Sequence, residues 1–251
     1  MAIDIDAAKR QYESDGFVKL SGLLSSADLD ELNERLAAYE RDVAPTLPAV
    51  DIVWEKDALP DGSRRIRNLW RLHEYSEFFD RFSQRRDFLE LAAALVNGDP
   101  VRMGVETFSK PALVGSIVPH HQDNAYFTLV PPDCFSLWIA LDASTVENGC
   151  VWYARGSHLT PGLPHEPSGV LGNSMQASSV PGGLDEVPAE LSPGDAIAHH
   201  CETIHRSEPN RSAKSRRGLV IVYKGAHCRH DVAAAARYAA IRDAMLASAA
   251  T

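Results

Sequence analysis

The sequence has no long basic run, no C-x-x-C pair and no apolar stretch approaching the ~20 residues that a membrane span needs. Without clustered Lys/Arg, and with a formal net charge of −9, it is ill suited to nucleic acid or an anionic membrane as its main partner. A small polar or anionic ligand remains open, since one or two local arginines would serve it. The four cysteines, Cys134, Cys150, Cys201 and Cys228, are far apart. Reduced, mostly buried thiols are therefore expected, rather than disulfides or a zinc cluster. The opening MAIDIDAAKRQYESDGF has no apolar core behind a basic start. No signal peptide is expected, and the expected location is cytoplasmic.

What is present suits a sizeable core. Of the 251 residues, 45% are hydrophobic and 24% charged, which is ordinary for a globular protein and compatible with one domain over 1–251. The pattern predicts a helix over 5–15 stopped by Gly16, then a strand-like FVKL. Ser25 or Ser26 can cap a second helix over 26–43, where Leu29, Leu32, Leu36, Tyr39 and Val43 fall at helical spacing. Residues 44–65, with three prolines and a Pro-Asp-Gly, read as a long loop or lid, and 74–97 reads as helix again.

From Val101 the texture changes. Segments 101–108, 134–142, 150–155, 195–200 and 217–223 are short, rich in β-branched and aromatic residues, and separated by turns. That spacing predicts an antiparallel sandwich or barrel rather than βαβ units. The stretch 160–190 reads as loop, a second candidate lid, and an Ala-rich helix over 231–249 follows. The fold class is α+β, a helical N-terminal layer on a central β-sandwich.

Chemistry concentrates in two segments. In Pro119-His120-His121-Gln122-Asp123, an extended backbone would turn His121 and Asp123 to one side, toward one ion. Two imidazoles and a carboxylate with positions left open suit Fe(II) oxygen chemistry. The third ligand must come from elsewhere, and His205 is the favoured source. A hairpin turning at Pro209-Asn210 and symmetric about Asn210–Arg211 would set His205 directly opposite Arg216, with Ser207 on the same face. The arginine fork would then be placed for the far carboxylate of a ligand already on the iron. His199 and His200 lie close enough in sequence to compete for the third position. His120 is out of frame, His158 suits a local hydrogen bond, and His227 and His230 suit the surface.

With these residues in view, the sequence resembles the phytanoyl-CoA dioxygenase family of Fe(II)/2-oxoglutarate oxygenases, particularly its small bacterial members. The matching pieces are DGFVKLSGLLS (15–25), PHHQDNAYF (119–127), FSLWIALDASTVENGCVWYARGSH (135–158) and GDAIAHHCETIHRSEPNRSAKSRRGLVIVY (194–223), in family order. The resemblance implies a double-stranded β-helix (jelly-roll) core, about 100–225. It implies Fe(II) held by His121, Asp123 and His205, with Arg216 pairing the C5 carboxylate of 2-oxoglutarate. Gln122, Trp138 and Ser207 match positions lining the cosubstrate pocket, and Met103 and Arg67 match it less closely.

As in the family, 2-oxoglutarate and O2 would be consumed and hydrogen abstracted from a substrate C–H. Because Asp123 supplies a carboxylate where halogenating members have Gly or Ala, halogenation is not expected. Asn124, Tyr126 and Phe127 follow the iron motif and are expected to meet the substrate. No basic site for the phosphates of an acyl-CoA is evident. The expected substrate is therefore a polar small molecule, hydroxylated or oxidatively cyclised, with a role such as antibiotic biosynthesis, in a monomer or homodimer. Two other classes stay open: a cupin-like metal isomerase or hydrolase that does not use 2-oxoglutarate, and a non-catalytic binding module.

Overall fold

The computed structural model describes residues 3–55, 64–113, 116–170 and 172–249. It opens with helix α1 (Ile5–Asp15), strand β1 (Phe17–Leu20), α2 (Ser26–Asp42), β2 (Ile52–Trp54) and β3 (Ile66–Leu69). Gly16, at φ 80°, ends α1 in the left-handed region that glycine enters without a Cβ penalty. Ser25 caps α2 through a reciprocal box with Asp28. Three short helices follow, α3 (Leu72–Tyr75), α4 (Glu77–Phe82) and α5 (Arg86–Leu95). The continuous helix expected over 74–97 is thus interrupted. Ser76 is extended (φ −145°, ψ 118°), which lets Phe79, Phe82 and Phe88 all reach the core. Of the loop expected over 44–65, residues 44–46 form a 3-10 turn and 52–54 are strand. Its Pro-Asp-Gly lies outside the described residues.

The next part is mostly strand: β4 (Pro100–Lys110), β5 (Val118–His121), the short helix α6 (Asn124–Phe127), β6 (Leu129–Val130), β7 (Cys134–Ala140) and β8 (Val151–Ala154). Then come β9 (His165–Val170), β10 (Asn173–Ala177), β11 (Glu186–Pro188), β12 (Ala196–His200) and β13 (His205–Ser207). Strand β14 (Arg216–Gly225), β15 (Arg229–His230) and helix α7 (Val232–Ala249) complete the order. The supposed loop over 160–190 therefore contains a β9–β10 ribbon and β11. Its Gly, Ser and Pro residues hid short, partly exposed strands that lack a regular apolar alternation.

Two antiparallel sheets make the core. The larger runs β1-β12-β7-β14-β4-β3-β2, and the smaller runs β11-β8-β13-β5. Every residue of β7, CFSLWIA, is buried because both faces of its sheet are covered. Leu137 and Ile139 join the cluster formed with α1, α2, α4 and α5, while Trp138 and Ala140 join a second cluster with Tyr153 of the smaller sheet. This is the jelly-roll architecture with a helical layer on one face. All four cysteines are buried and free.

The expected His205–Arg216 hairpin does not form. Strand β13 pairs with β5 and β8, whereas β14 pairs with β4 and β7, so the two residues belong to different sheets. Residue Asn210 is buried, and its amide donates to the Lys110 and Lys214 carbonyls. It thus organises a crossing between sheets where a tight turn was expected.

Candidate metal centre and active-site pocket

The smaller sheet places the two histidines. His205 on β13 is registered opposite His121 on β5, and their rings lie 4.1 Å apart. Asp123 is not on the strand with His121, as a plain extended H-x-D would have it. The chain turns after His121, and Asp123 caps α6 with helical backbone angles. The turn nonetheless returns its carboxylate to the histidines. His121 Nε2 is 3.7 Å and His205 Nε2 3.5 Å from Asp123 Oδ1.

Each histidine is oriented from behind. His121 Nδ1 meets the Pro119 carbonyl at 2.8 Å, and His205 Nδ1 the Thr203 carbonyl at 2.9 Å. A carbonyl only accepts, so both Nδ1 atoms donate and both Nε2 lone pairs face the centre. Burial holds both imidazoles below their ordinary pKa, His205 strongly, which keeps them in the neutral form a metal requires. Burial alone would push the Asp123 carboxyl up. The His205 ring and the hydrogen bond from His199 outweigh it and hold Asp123 ionised, below the usual carboxylate range.

The other oxygen of Asp123 is fully engaged. Its Oδ2 accepts from Ser136 Oγ at 2.7 Å and from His199 Nε2 at 3.0 Å, while His199 Nδ1 contacts the Tyr153 hydroxyl at 3.1 Å. His199, a competitor for the third ligand position in the sequence, instead holds the carboxylate so that Oδ1 alone points inward. One oxygen and two Nε2 atoms, all within 4.8 Å of one another, make a donor set that fits a divalent transition metal with open positions.

The triad lines a cavity of about 350 Å³ between the sheets. Arg216 lines it from the opposite sheet, 3% exposed, with its guanidinium carbon 5.2 Å from the Trp138 ring centre. Its Nε and Nη1 are buried and unpaired. Burial lowers this guanidinium to about 10, and Lys110, registered opposite it on β4, is pushed down to about 6 by burial and then by Arg216 and Arg67. Such a cation is costly to bury alone and calls for an anion.

Several sequence expectations land in this cavity: Trp138, Ser207, Tyr126 and Phe127 all line it. Others do not. The Gln122 amide is spent on the Glu202 carbonyl and the Leu163 N–H, away from the pocket. Asn124 donates to Glu202 and to the Leu129 carbonyl, bracing the α6 turn. Met103 packs into the inter-sheet cluster. Arg67 is buried and donates to Asn173 rather than lining the cavity. Ser136, Tyr153, Glu106 and, from α7, Tyr238, Arg242, Met245 and Leu246 also line the pocket, beyond the residues expected from sequence. Ser136 was within reach of sequence reasoning, because it sits two residues from Trp138 and shares its face. The contribution of α7 was not, since no local pattern says where that helix docks.

The phytanoyl-CoA dioxygenase (PhyH) family model matches residues 12–218. The chain belongs to the phytanoyl-CoA dioxygenase family. It is 37% identical over 147 residues to a phytanoyl-CoA dioxygenase of Arabidopsis thaliana, covering 58% of this chain and 52% of that protein. It spans about half the length of the first such relatives. It is also 29% identical over 224 residues to the 2-aminoethylphosphonate dioxygenase of uncultured bacterium HF130_AEPn_1, covering 86% of this chain and 79% of that one. Its fold resembles the epimerase SnoN, solved with Fe3+, alpha ketoglutarate and nogalamycin RO, at a TM-score of 0.72 and 21% identity, covering 90% and 85% of the two chains. Among the described residues, no helix of this family member is long and apolar enough to cross a membrane.

Proposed function

We propose that this chain is an Fe(II)- and 2-oxoglutarate-dependent dioxygenase acting on a small molecule, with His121, Asp123 and His205 as iron ligands and Arg216 as the anchor of the cosubstrate's far carboxylate. The observation that carries this reading is the buried, unpaired Arg216 guanidinium in the same cavity as the triad. An isomerase or hydrolase working on the metal alone would have no use for it. When bound, iron would activate O2, which draws two electrons from 2-oxoglutarate and two from an unactivated substrate C–H.

The protein's own part is positional. The backbone carbonyls behind His121 and His205 orient their rings, Ser136 and His199 hold the Asp123 carboxylate, and Trp138 supports Arg216 by stacking. Burial of His121, Tyr153 and His205 between the two sheets strengthens each charge interaction there. The chain is read as one oxygenase domain. The cavity suits a small polar molecule beside 2-oxoglutarate rather than an entire acyl-CoA. Hydroxylation or oxidative ring closure in secondary metabolism, such as antibiotic biosynthesis, agrees with the names of several relatives and structural neighbours.

Replacing Arg216 with Ala tests the assignment. We expect 2-oxoglutarate affinity to fall at least about 30-fold, the cost of breaking one buried charge pair, while Fe(II) binding is retained. Isothermal titration of both ligands decides it, and an unchanged 2-oxoglutarate affinity would remove Arg216 from the site.

A further inference from the structure

One carboxyl of the pocket is accounted for by neither the metal nor the cosubstrate. Glu106 lies on β4 and lines the cavity. It is registered opposite Val220 of β14, and Val220 is opposite Trp138 of β7, so Glu106 belongs to the inner face of the larger sheet. Its side chain folds back over Gly104, two residues earlier on that face. A Cβ at position 104 would stand 3.2 Å from Glu106 Oε1, so the missing side chain of Gly104 makes room for the carboxyl. Gly104 is opposite Val222, which is opposite Ser136, the residue that holds Asp123. The Glu106 carboxyl therefore hangs over the row that carries the metal centre, on the strand two places from Ser136.

Among the described residues, Glu106 has no hydrogen bond or ion pair. Three other arginines that line the cavity are matched. Arg71 pairs with Asp51 at 2.6 Å, Arg206 with Glu186 at 2.8 Å and Arg242 with Asp243 at 2.8 Å. In the proposed loaded site, a divalent iron and Arg216 together balance Asp123 and the two carboxylates of 2-oxoglutarate, leaving Glu106 unmatched. Burial, and then the Asp123 carboxylate, push this carboxyl up to about 8, so its ionised form needs a cation beside it. The walls on this side are aromatic. Phe108 follows Glu106 on the same strand face and meets Trp70 edge-on at 5.2 Å, and Tyr126 meets Tyr238 of α7 at 5.5 Å. An unmatched carboxyl flanked by aromatic rings recognises an organic cation.

Resting on the oxygenase reading above, we propose that Glu106 is the substrate-recognition residue of this pocket and binds the protonated amino group of a small aliphatic amine or amino acid. The separation between Glu106 and the triad then sets the position oxidised, a few carbon atoms from the nitrogen. An anionic substrate head would instead meet arginines that already have carboxylate partners, and would leave Glu106 opposed to it.

The test uses the full-length protein loaded with Fe(II) and 2-oxoglutarate. Short primary amines and amino acids are supplied, each beside its N-acetyl counterpart and the corresponding alcohol, and substrate-stimulated succinate release is measured. Amines are expected to stimulate release, and their neutral counterparts are not. Glu106→Gln should raise the KM of the stimulating amine at least about 30-fold, the cost of losing one partner of a buried charge pair. Glu106→Asp should recover part of that loss, and the affinity for 2-oxoglutarate should not move in either variant. If no amine stimulates, if neutral compounds stimulate equally, or if Glu106→Gln leaves KM unchanged, the proposal is overturned. The visible charge-transfer band of the Fe(II)–2-oxoglutarate complex separates the two levels. Its absence in the wild-type protein would overturn the oxygenase reading and this proposal with it, whereas its presence confines any failure to Glu106.

Discussion

At the scale of single residues, the most informative group is Asp123, because each of its oxygens has a separate duty. Oδ1 faces His121 and His205, while Oδ2 is held by Ser136 and His199. Supports of this kind commonly contribute 10- to 100-fold to metal affinity. Ser136→Ala and His199→Ala are each expected to weaken Fe(II) binding by about 10-fold or more without unfolding the protein, measured by competition with a chelator. Unchanged affinity in both variants would mean that Asp123 needs no support. The H-x-D and the later histidine were enough to single out the three residues whose donor atoms the fold brings together. His199 was legible as a histidine near the metal, but not as a hydrogen-bond donor to a ligand. That role depends on the β12–β7 register, which no local spacing encodes. Gln122 and Asn124 misled for the opposite reason: they neighbour the motif in sequence, yet the turn into α6 directs them away from the cavity.

At the level of elements, β14 and β7 bring Arg216 and Trp138 to the pocket. Gly218 on β14 lies directly beneath the Trp138 ring, and a Cβ there would come within 2.2 Å of Trp138 Cζ2. Gly218→Ala must therefore displace the indole on which Arg216 rests. The cost expected is about 1–3 kcal/mol of stability, typical of overpacking, together with weaker 2-oxoglutarate binding. Chemical denaturation followed by tryptophan emission, with ligand titration alongside, checks both, and a variant with wild-type values would show that the ring's position is immaterial. Most strands were legible because β-branched and aromatic runs bounded by turns are a local signal. Strand pairing was not. Pro209-Asn210 has the composition of a hairpin turn, but buried Asn210 binds Lys110 and Lys214 and sends β14 into the other sheet. Arg216 reaches the site across the sandwich instead of along a ribbon. The β9–β10 pair was missed because its polar residues face neither core consistently.

At the scale of the whole molecule, the helical layer packs on one face of the larger sheet while the cavity opens on the other, so stability and chemistry are largely separated. His200 belongs to the structural side. It lies at the end of β12, with its ring 6.0 Å from Tyr12 of α1, and its Nδ1 accepts the Glu202 N–H at 3.0 Å. Burial, with His158 and His199 nearby, lowers it to about 4. Its folded pKa is thus below the unfolded value of about 6.5, and the unfolded chain takes up the proton first. The contribution is intact above about pH 6.5 and is lost as pH falls toward 4, by up to ~3 kcal/mol. Denaturation midpoints across that window should fall more steeply for the wild type than for His200→Gln, and parallel slopes would contradict this. The alternation of a sandwich and the helical spacing of residues 26–43 made the layered architecture readable from sequence. The docking of α7 over the pocket was not, because its Ala-rich surface marks no single face.

Whether this pocket binds Fe(II) and 2-oxoglutarate together is decided by anaerobic visible spectroscopy. Fe(II) is added to the metal-free protein, followed by 2-oxoglutarate. A weak visible charge-transfer band is expected only with both present, and it should be lost in His121→Ala and in Asp123→Ala. Iron demonstrably bound with no band on adding 2-oxoglutarate would contradict joint binding.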